Sequence, residues 1–341
     1  MKLLRTLLLA STACVALPAV GLAEPAVVTS IKPIHSLVAG VMDGVGDPEL
    51  LVDGAASPHT YSLRPSQAGN LERADIIFWF GPDLEAFLEK PLDTLADNAM
   101  VVELGDAHDL VRLGLREGGT FESHDHEGDE HADDGHDDHE HDDDEHADHE
   151  GESNETHAGH DHDAHADGEF NIHLWLDPVN AKALVHEIEE ALVKTDPENA
   201  AKYKANAEGL EVQLDELTTE IATRLEPVKD KSFVVFHDAY PYFENRFGVS
   251  AAGSVTISPE VAPGAARVSE IRNKVKELGA TCVFSEPQFE PKLVDVITEG
   301  TGARAGVLDP LGADLENGPD LYFTLIRNMA DNMLNCLSDN S

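Results

Sequence analysis

From Pro197 to Pro227 the chain sets Tyr203, Ala207, Leu210, Leu214, Leu217, Ile221 and Leu225 at spacings of three and four, with no internal proline and Gly209 as the only glycine. That period predicts one amphipathic helix, about 45 Å long at 1.5 Å per residue. A helix of this length divides the chain into a part before it and a part after it, and it joins them as a stiff strut rather than a swivelling linker. A coiled-coil seam pairing two copies is the competing reading, weakened by Ala and Tyr at seam positions.

Both flanking parts alternate short apolar runs with helical stretches. Before the helix stand Ala26 to Thr29 and Ala74 to Phe80, with helices expected over Pro33 to Gly44 and Asp83 to Ala96. After it stand Phe233 to Phe236, Cys282 to Phe284 and Ala305 to Leu308, with a helix over Pro263 to Leu278. Strand, helix, strand in series implies a parallel sheet covered on both faces, once in each half. The expected fold is therefore α/β, in two lobes that are each a parallel sheet flanked by helices and are joined by the long α-helix. The N-terminal lobe is expected over residues 24–196, the linking helix over 197–228 and the C-terminal lobe over 229–341.

One segment fits neither lobe. Between Phe121 and Phe170 there are twelve histidines (His124, His126, His131, His136, His139, His141, His146, His149, His157, His160, His162 and His165) and 22 acidic residues, without a single Lys or Arg. A stretch so poor in aliphatic residues cannot join a core, so a disordered surface insertion is expected over 122–168. Neutral imidazole is a common ligand for divalent metal, so the tract also points to metal as an accessory binding element. Without its 22 carboxylates the chain still has 44 acids against 23 Lys and Arg, within a net charge of -43. Such a field repels phosphate, so no nucleic-acid partner is expected and anionic membrane surface is a poor one.

Residues 1–23 read as a signal peptide. Lys2 and Arg5 precede an apolar stretch from Leu7 to about Val20, and the small residues Gly21 and Ala23 precede Glu24. Cys14 lies inside the apolar run and lacks the upstream leucine of a lipid-attachment box. No later stretch reaches the 18 or so apolar residues of a membrane span, so a soluble, exported chain is expected. Export leaves Cys282 and Cys336, which have no third partner and no CxxC spacing. One structural disulfide is the expected outcome, and a thiolate metal site the alternative.

Outside the tract the chain has His35, His59, His108, His173, His186 and His237. His59 follows the apolar pair Leu51-Val52 in a turn-rich stretch, His173 lies where order resumes after the insertion, and His237 follows the run Phe233 to Phe236. Parallel α/β sheets place binding sites at the C-terminal ends of their strands, so metal held by His59, His173 and His237 would sit between the lobes. Packing or surface roles suit His35, His108 and His186 better.

Five motifs carry a resemblance. Ser-Pro-His-Thr-Tyr-Ser-Leu-Arg-Pro-Ser at 57–66, Ile-His-Leu-Trp-Leu-Asp-Pro at 172–178, Phe-His-Asp-Ala-Tyr at 236–240, Phe-Ser-Glu-Pro-Gln-Phe at 284–289 and Leu-Asp-Pro-Leu-Gly at 308–312 resemble the zinc-binding periplasmic component of a bacterial ABC importer. The resemblance implies two four-stranded parallel lobes on a long helix, with metal in the cleft. It also implies a periplasmic location, a membrane permease with its cytoplasmic ATPase as partner, and a monomer. A periplasmic zinc chaperone is a further candidate partner. Carried over residue by residue, His59, His173 and His237 match the three histidine ligands. Asp309 matches a carboxylate that is a ligand in manganese-binding relatives. Some zinc members have a Glu immediately before the first His, where this chain has Pro58, so Asp309 or a water must complete the shell. Three imidazoles and one oxygen suit Zn2+, whereas Mn2+ and Mg2+ prefer more oxygen.

Two other functions use the same residues. A periplasmic zinc buffer or chaperone for other proteins would differ only in partner. A zinc hydrolase would need a general base, for which Glu286 is the obvious candidate, but there is no HExxH helix and no Gly-x-Ser-x-Gly. No catalytic role is expected. The tract would capture zinc for the cleft or sense surplus; the plainer reading is a solvated insertion with incidental metal affinity.

Overall fold

The computed structural model describes residues 24–116, 170–256, 263–290 and 292–338. The signal peptide expected over 1–23 and the histidine-rich insertion expected over 122–168 lie outside the described residues.

Two four-stranded sheets repeat one order. β1 (Val27–Ile31), β2 (Glu49–Val52), β3 (Ile76–Trp79) and β4 (Met100–Glu103) lie as β2-β1-β3-β4, while β5 (Phe233–His237), β6 (Ala251–Thr256), β7 (Cys282–Ser285) and β8 (Arg304–Val307) lie as β6-β5-β7-β8. Every pairing is parallel. The inner strands β1, β3, β5 and β7 are buried at each position, which explains their largely apolar composition, while the edge strands β2, β4 and β8 are partly exposed.

Around the first sheet run α1 (Lys32–Val41), α2 (Pro65–Arg73), α3 (Pro82–Leu95) and α4 (Pro178–Thr195). Then come α5 (Ala200–Leu225) and, about the second sheet, α6 (Pro241–Phe247), α7 (Ala265–Leu278), α8 (Lys292–Thr298) and α9 (Leu321–Leu337). α1, α2, α3, α4 and α6 each have a proline in their first turn, where its missing N–H breaks no helical bond.

α5 is the predicted long helix, and the seven apolar residues of its stripe are all buried. It starts at Ala200 rather than Pro197 because Asp196 gathers the preceding turn: its carboxylate accepts from the Asn199 side chain at 2.7 Å and from the Tyr203 hydroxyl at 2.8 Å. A 3-10 turn, Glu226–Val228, ends it. Its 26 residues span about 39 Å. The stripe is covered from within the chain, by α1, α4 and α9, so the seam that a dimeric coiled coil would need is already filled. Gly40 of α1 lies so close that an added Cβ would stand 2.9 Å from the Leu210 side chain. α9, which follows the second sheet, packs back on α5 and α1. One apolar core consequently runs through both lobes, and a smaller one, including Val234, Phe236, Val275 and Val283, fills the other face of the second sheet. Cys282 and Cys336 are disulfide-bonded with Cα atoms 6.1 Å apart, tying β7 to the last turn of α9. Among the described residues no helix is long and apolar enough to cross a membrane.

Candidate metal centre

His59, His173 and His237 meet between the lobes, with one ring nitrogen from each lying within 4.8 Å of the others. His59 is held by a 3-10 turn, Pro58–Thr60, after β2; Pro58 stands in its first turn. His173 opens a second 3-10 turn, Leu174–Leu176, beyond β4. His237 is the last residue of β5 rather than the first after it, paired in register with Thr256. It therefore ends the strand on either side of which β6 and β7 lie, the switch point at which open α/β sheets hold ligands.

Hydrogen bonds fix which nitrogen faces the cleft. The Asn171 side chain donates through Nδ2 to the Asp238 carbonyl at 2.6 Å, which orients the amide. Its Oδ1 then accepts from the His173 backbone N–H at 3.1 Å and ring Nδ1 at 3.0 Å. On the other lobe Glu286 Oε1 accepts from His237 Nδ1 at 2.7 Å. Both histidines thus engage Nδ1 behind the ring and turn Nε2 into the cleft, where the two Nε2 atoms lie 3.2 Å apart. A tetrahedral zinc with Zn–N of about 2.0–2.1 Å would separate two ligand nitrogens by roughly 3.3 Å, so this pair already forms one edge of such a site.

Burial keeps His59 and His173 neutral. His59 is lowered to about 3, first by burial and then by repulsion from His237. His173 is lowered well below its usual value by burial, then by His237 and His59. Neutral imidazole is the form that ligates metal, so protons compete weakly here. Trp175, Phe289, Pro310 and Leu311 wall the site. The Trp175 indole N–H donates to the Pro310 carbonyl at 2.8 Å, and Phe289 stacks on Phe236 with centroids 4.8 Å apart. The cavity they leave is about 10 Å³, the room of one water or ion and far too little for an organic solute.

Asp309 does not join the three histidines. Its Oδ1 accepts from the backbone N–H groups of Leu311 and Gly312 and from the Gln288 amide, each at 3.0 Å, and its Oδ2 from Ala313 N–H at 2.6 Å. These bonds build the turn beneath Pro310 and Leu311. Glu286, the candidate general base, is instead the partner of His237, only 2 % exposed. The other histidines lie apart: His35 is buried in α1 with Nε2 3.0 Å from the Pro48 carbonyl, and His108 and His186 are exposed. The twelve histidines of the tract are outside the described residues. Asn171 was not singled out from sequence. Its only signal is its place two residues before a candidate ligand, the reach needed to bond that ligand's Nδ1.

Twin parallel lobes fused through one long helix, with three imidazoles converging on a cavity of ionic size, define a receptor for a small metal cation. The chain belongs to the family described as "ZnuA: Zinc-uptake complex component A periplasmic", whose model matches residues 27–336. It is 60% identical over 312 residues to the "High-affinity zinc uptake system protein ZnuA" of Brucella suis biovar 1, covering 92% of this chain and 91% of that one. The protein of the same description from Yersinia pestis is 39% identical over 347 residues, 98% of each chain. Among solved structures, the periplasmic zinc binding protein TroA from Treponema pallidum superposes with a TM-score of 0.71 over 93% of this chain and 100% of that one. At 20% identity that likeness speaks for the fold alone.

Proposed function

We propose that this protein captures Zn2+ through His59, His173 and His237 in the periplasm and delivers it to the membrane permease of an ABC importer, driven by that importer's ATPase. The observation that carries the reading is the pair of Nε2 atoms, one from each lobe, held 3.2 Å apart while each Nδ1 is engaged behind its ring by Asn171 or Glu286. Family membership supports zinc as the cargo and uptake as the purpose. Since the oxygens of Asp309 are engaged by a backbone turn, a water is the proposed fourth ligand. No catalytic role is proposed, because Glu286 is bonded to a ligand rather than aimed at a substrate.

Residues 1–23 would direct export and be cleaved after Ala23. A monomer is the proposed state, since α5 has no free apolar stripe. The tract at 122–168 would collect zinc for the cleft or sense surplus, and a periplasmic zinc chaperone remains a candidate partner. In zinc-starved cells lacking the chromosomal copy, the intact gene should restore uptake of labelled zinc and His237→Ala should not. Uptake restored equally in cells without the permease would favour the buffer or chaperone reading instead.

A further inference from the structure

Where the chain leaves for the histidine-rich tract and where it returns, it passes the residue next to a candidate ligand. Gly114 and Phe170 bridge as an antiparallel pair, and Asn171 N–H donates to the Leu113 carbonyl at 2.8 Å. Leu113 N–H in turn donates to the Tyr242 hydroxyl of the second lobe at 3.1 Å. Two short strands of chain are thus strapped together across the lobe boundary, and both reach Asp238. Asn171 takes its main-chain carbonyl, at 2.6 Å. Arg116 takes its carboxylate: Nε lies 3.0 and 3.1 Å from the two oxygens, and a second guanidinium nitrogen also bonds Oδ1. The same guanidinium reaches Glu244 at 2.7 and 3.0 Å. Asp238 is 9 % exposed and Glu244 4 %, so two carboxylates stand side by side out of water, with a planar fork matched to both.

Asp238 is covalently the neighbour of His237, and Asn171 orients His173. We propose that Arg116, through Asp238, is a positioning residue that sets His237 against His173 and thereby sets the affinity and coordination geometry of the cleft. This rests on the three-histidine zinc reading. Its logic is that the two ligands come from different lobes, and their 3.2 Å edge needs a cross-lobe tie at ligand distance. The shared core holds the lobes together but reaches neither ring nitrogen. Arg246 offers the contrast: it forks Asp177 at 2.7 and 2.8 Å and also crosses the boundary, yet Asp177 does not adjoin a candidate ligand in the chain.

The test uses the full chain with zinc affinity measured against a chelator strong enough to empty weak sites, and the visible ligand-field spectrum after one equivalent of Co2+. Arg116→Ala should weaken zinc by up to about 10-fold, the low end of the range for groups that bond a ligand directly because Arg116 acts one residue further out, and should change the cobalt spectrum. Arg116→Lys, which keeps charge without the fork, should recover part of both. Asp238→Asn keeps the carbonyl used by Asn171 and should shift both readouts in the same direction as Arg116→Ala, which secures the test if Arg116→Ala does not fold. Arg246→Ala should lower thermal stability with the spectrum unchanged. Wild-type affinity and spectrum in folded Arg116→Ala or Asp238→Asn would overturn the proposal, as would an equal spectral change in Arg246→Ala. If the wild type's tight site survives His237→Ala, it is the three-histidine reading that fails.

Discussion

The two lobes share a strand order but use its switch point for opposite purposes. In the second lobe the central strand β5 ends in His237, a candidate ligand. In the first, β1 ends at Ile31 and is followed by Lys32, whose buried ammonium donates to the carbonyls of Ala313 at 3.2 Å and Leu315 at 2.7 Å. The end of the central strand carries a candidate metal ligand in one lobe and leads into a residue that fastens the partner lobe in the other. The first lobe supplies its two histidines from 3-10 turns instead, one of them held by Asn171, whereas His237 sits in a hydrogen-bonded ladder and is backed by Glu286. Topology nominates a position for a site; the residue that stands there decides whether there is one. On this arrangement the candidate ligands are expected to differ in rigidity, with His237 at the end of a paired strand and His59 on a short 3-10 turn.

The largest expected effect falls on stability alone. The disulfide lies wholly in the second half, across a separation of 54 residues, so replacing Cys282 and Cys336 by Ser should cost about 4 kcal/mol by chain entropy. Denaturant unfolding should register that loss while zinc affinity stays unchanged, and a parallel loss of affinity would mean that the second sheet is not independently braced. Next comes Glu286→Gln, which keeps shape but removes the charge behind His237: zinc affinity should fall about 10- to 100-fold. Asn171→Ala, lacking a charge to lose, should weaken binding in the same direction but less. If the order of these two reversed under chelator competition, the grading of the ligands would be wrong.

How much of this the sequence disclosed depended on how local each cause was. α5 was legible because seven apolar residues keep a helical period over most of its length, and the inner strands because both their faces are buried. β2, β4 and β6 were not foreseen. β2 and β4 are four-residue edge strands with mixed exposure, and β6, Ala-Ala-Gly-Ser-Val-Thr, has little aliphatic content to announce it. The role of α9 was hidden too, since nothing in Leu321 to Leu337 says that it packs back on α1 and α5. In the site, the meeting of three histidines followed from motif order and strand ends. The engagement of Asp309 by the 311–313 backbone, and of Glu286 by His237, depends on where loops fold, which no spacing encodes.

Smaller effects follow from protonation and from local opening. His59 and His173 are held neutral in the folded protein, His59 down to about 3, whereas in the unfolded chain they bind protons near 6.5. Between those values the unfolded state carries more protons, so the stability contributed by these rings is present above about pH 6.5 and declines as pH falls below it. Melting temperatures of the metal-free protein should show that decline; a flat profile from pH 7 to 5 would argue that the rings protonate in place. The smallest expected difference is in amide exchange without metal, where residues 53–61 should lose protection before 233–237. Zinc should narrow the gap, and earlier exchange at the end of β5 would contradict the rigid placement of His237.

The most direct test is a zinc titration of metal-free protein lacking residues 122–168, in competition with a chelator, beside the same protein carrying His237→Ala. One tight site per chain that disappears with His237 is the expected result. A protein without any tight site once the tract is gone would contradict it, and would assign zinc capture to the twelve histidines of the tract rather than to the cleft.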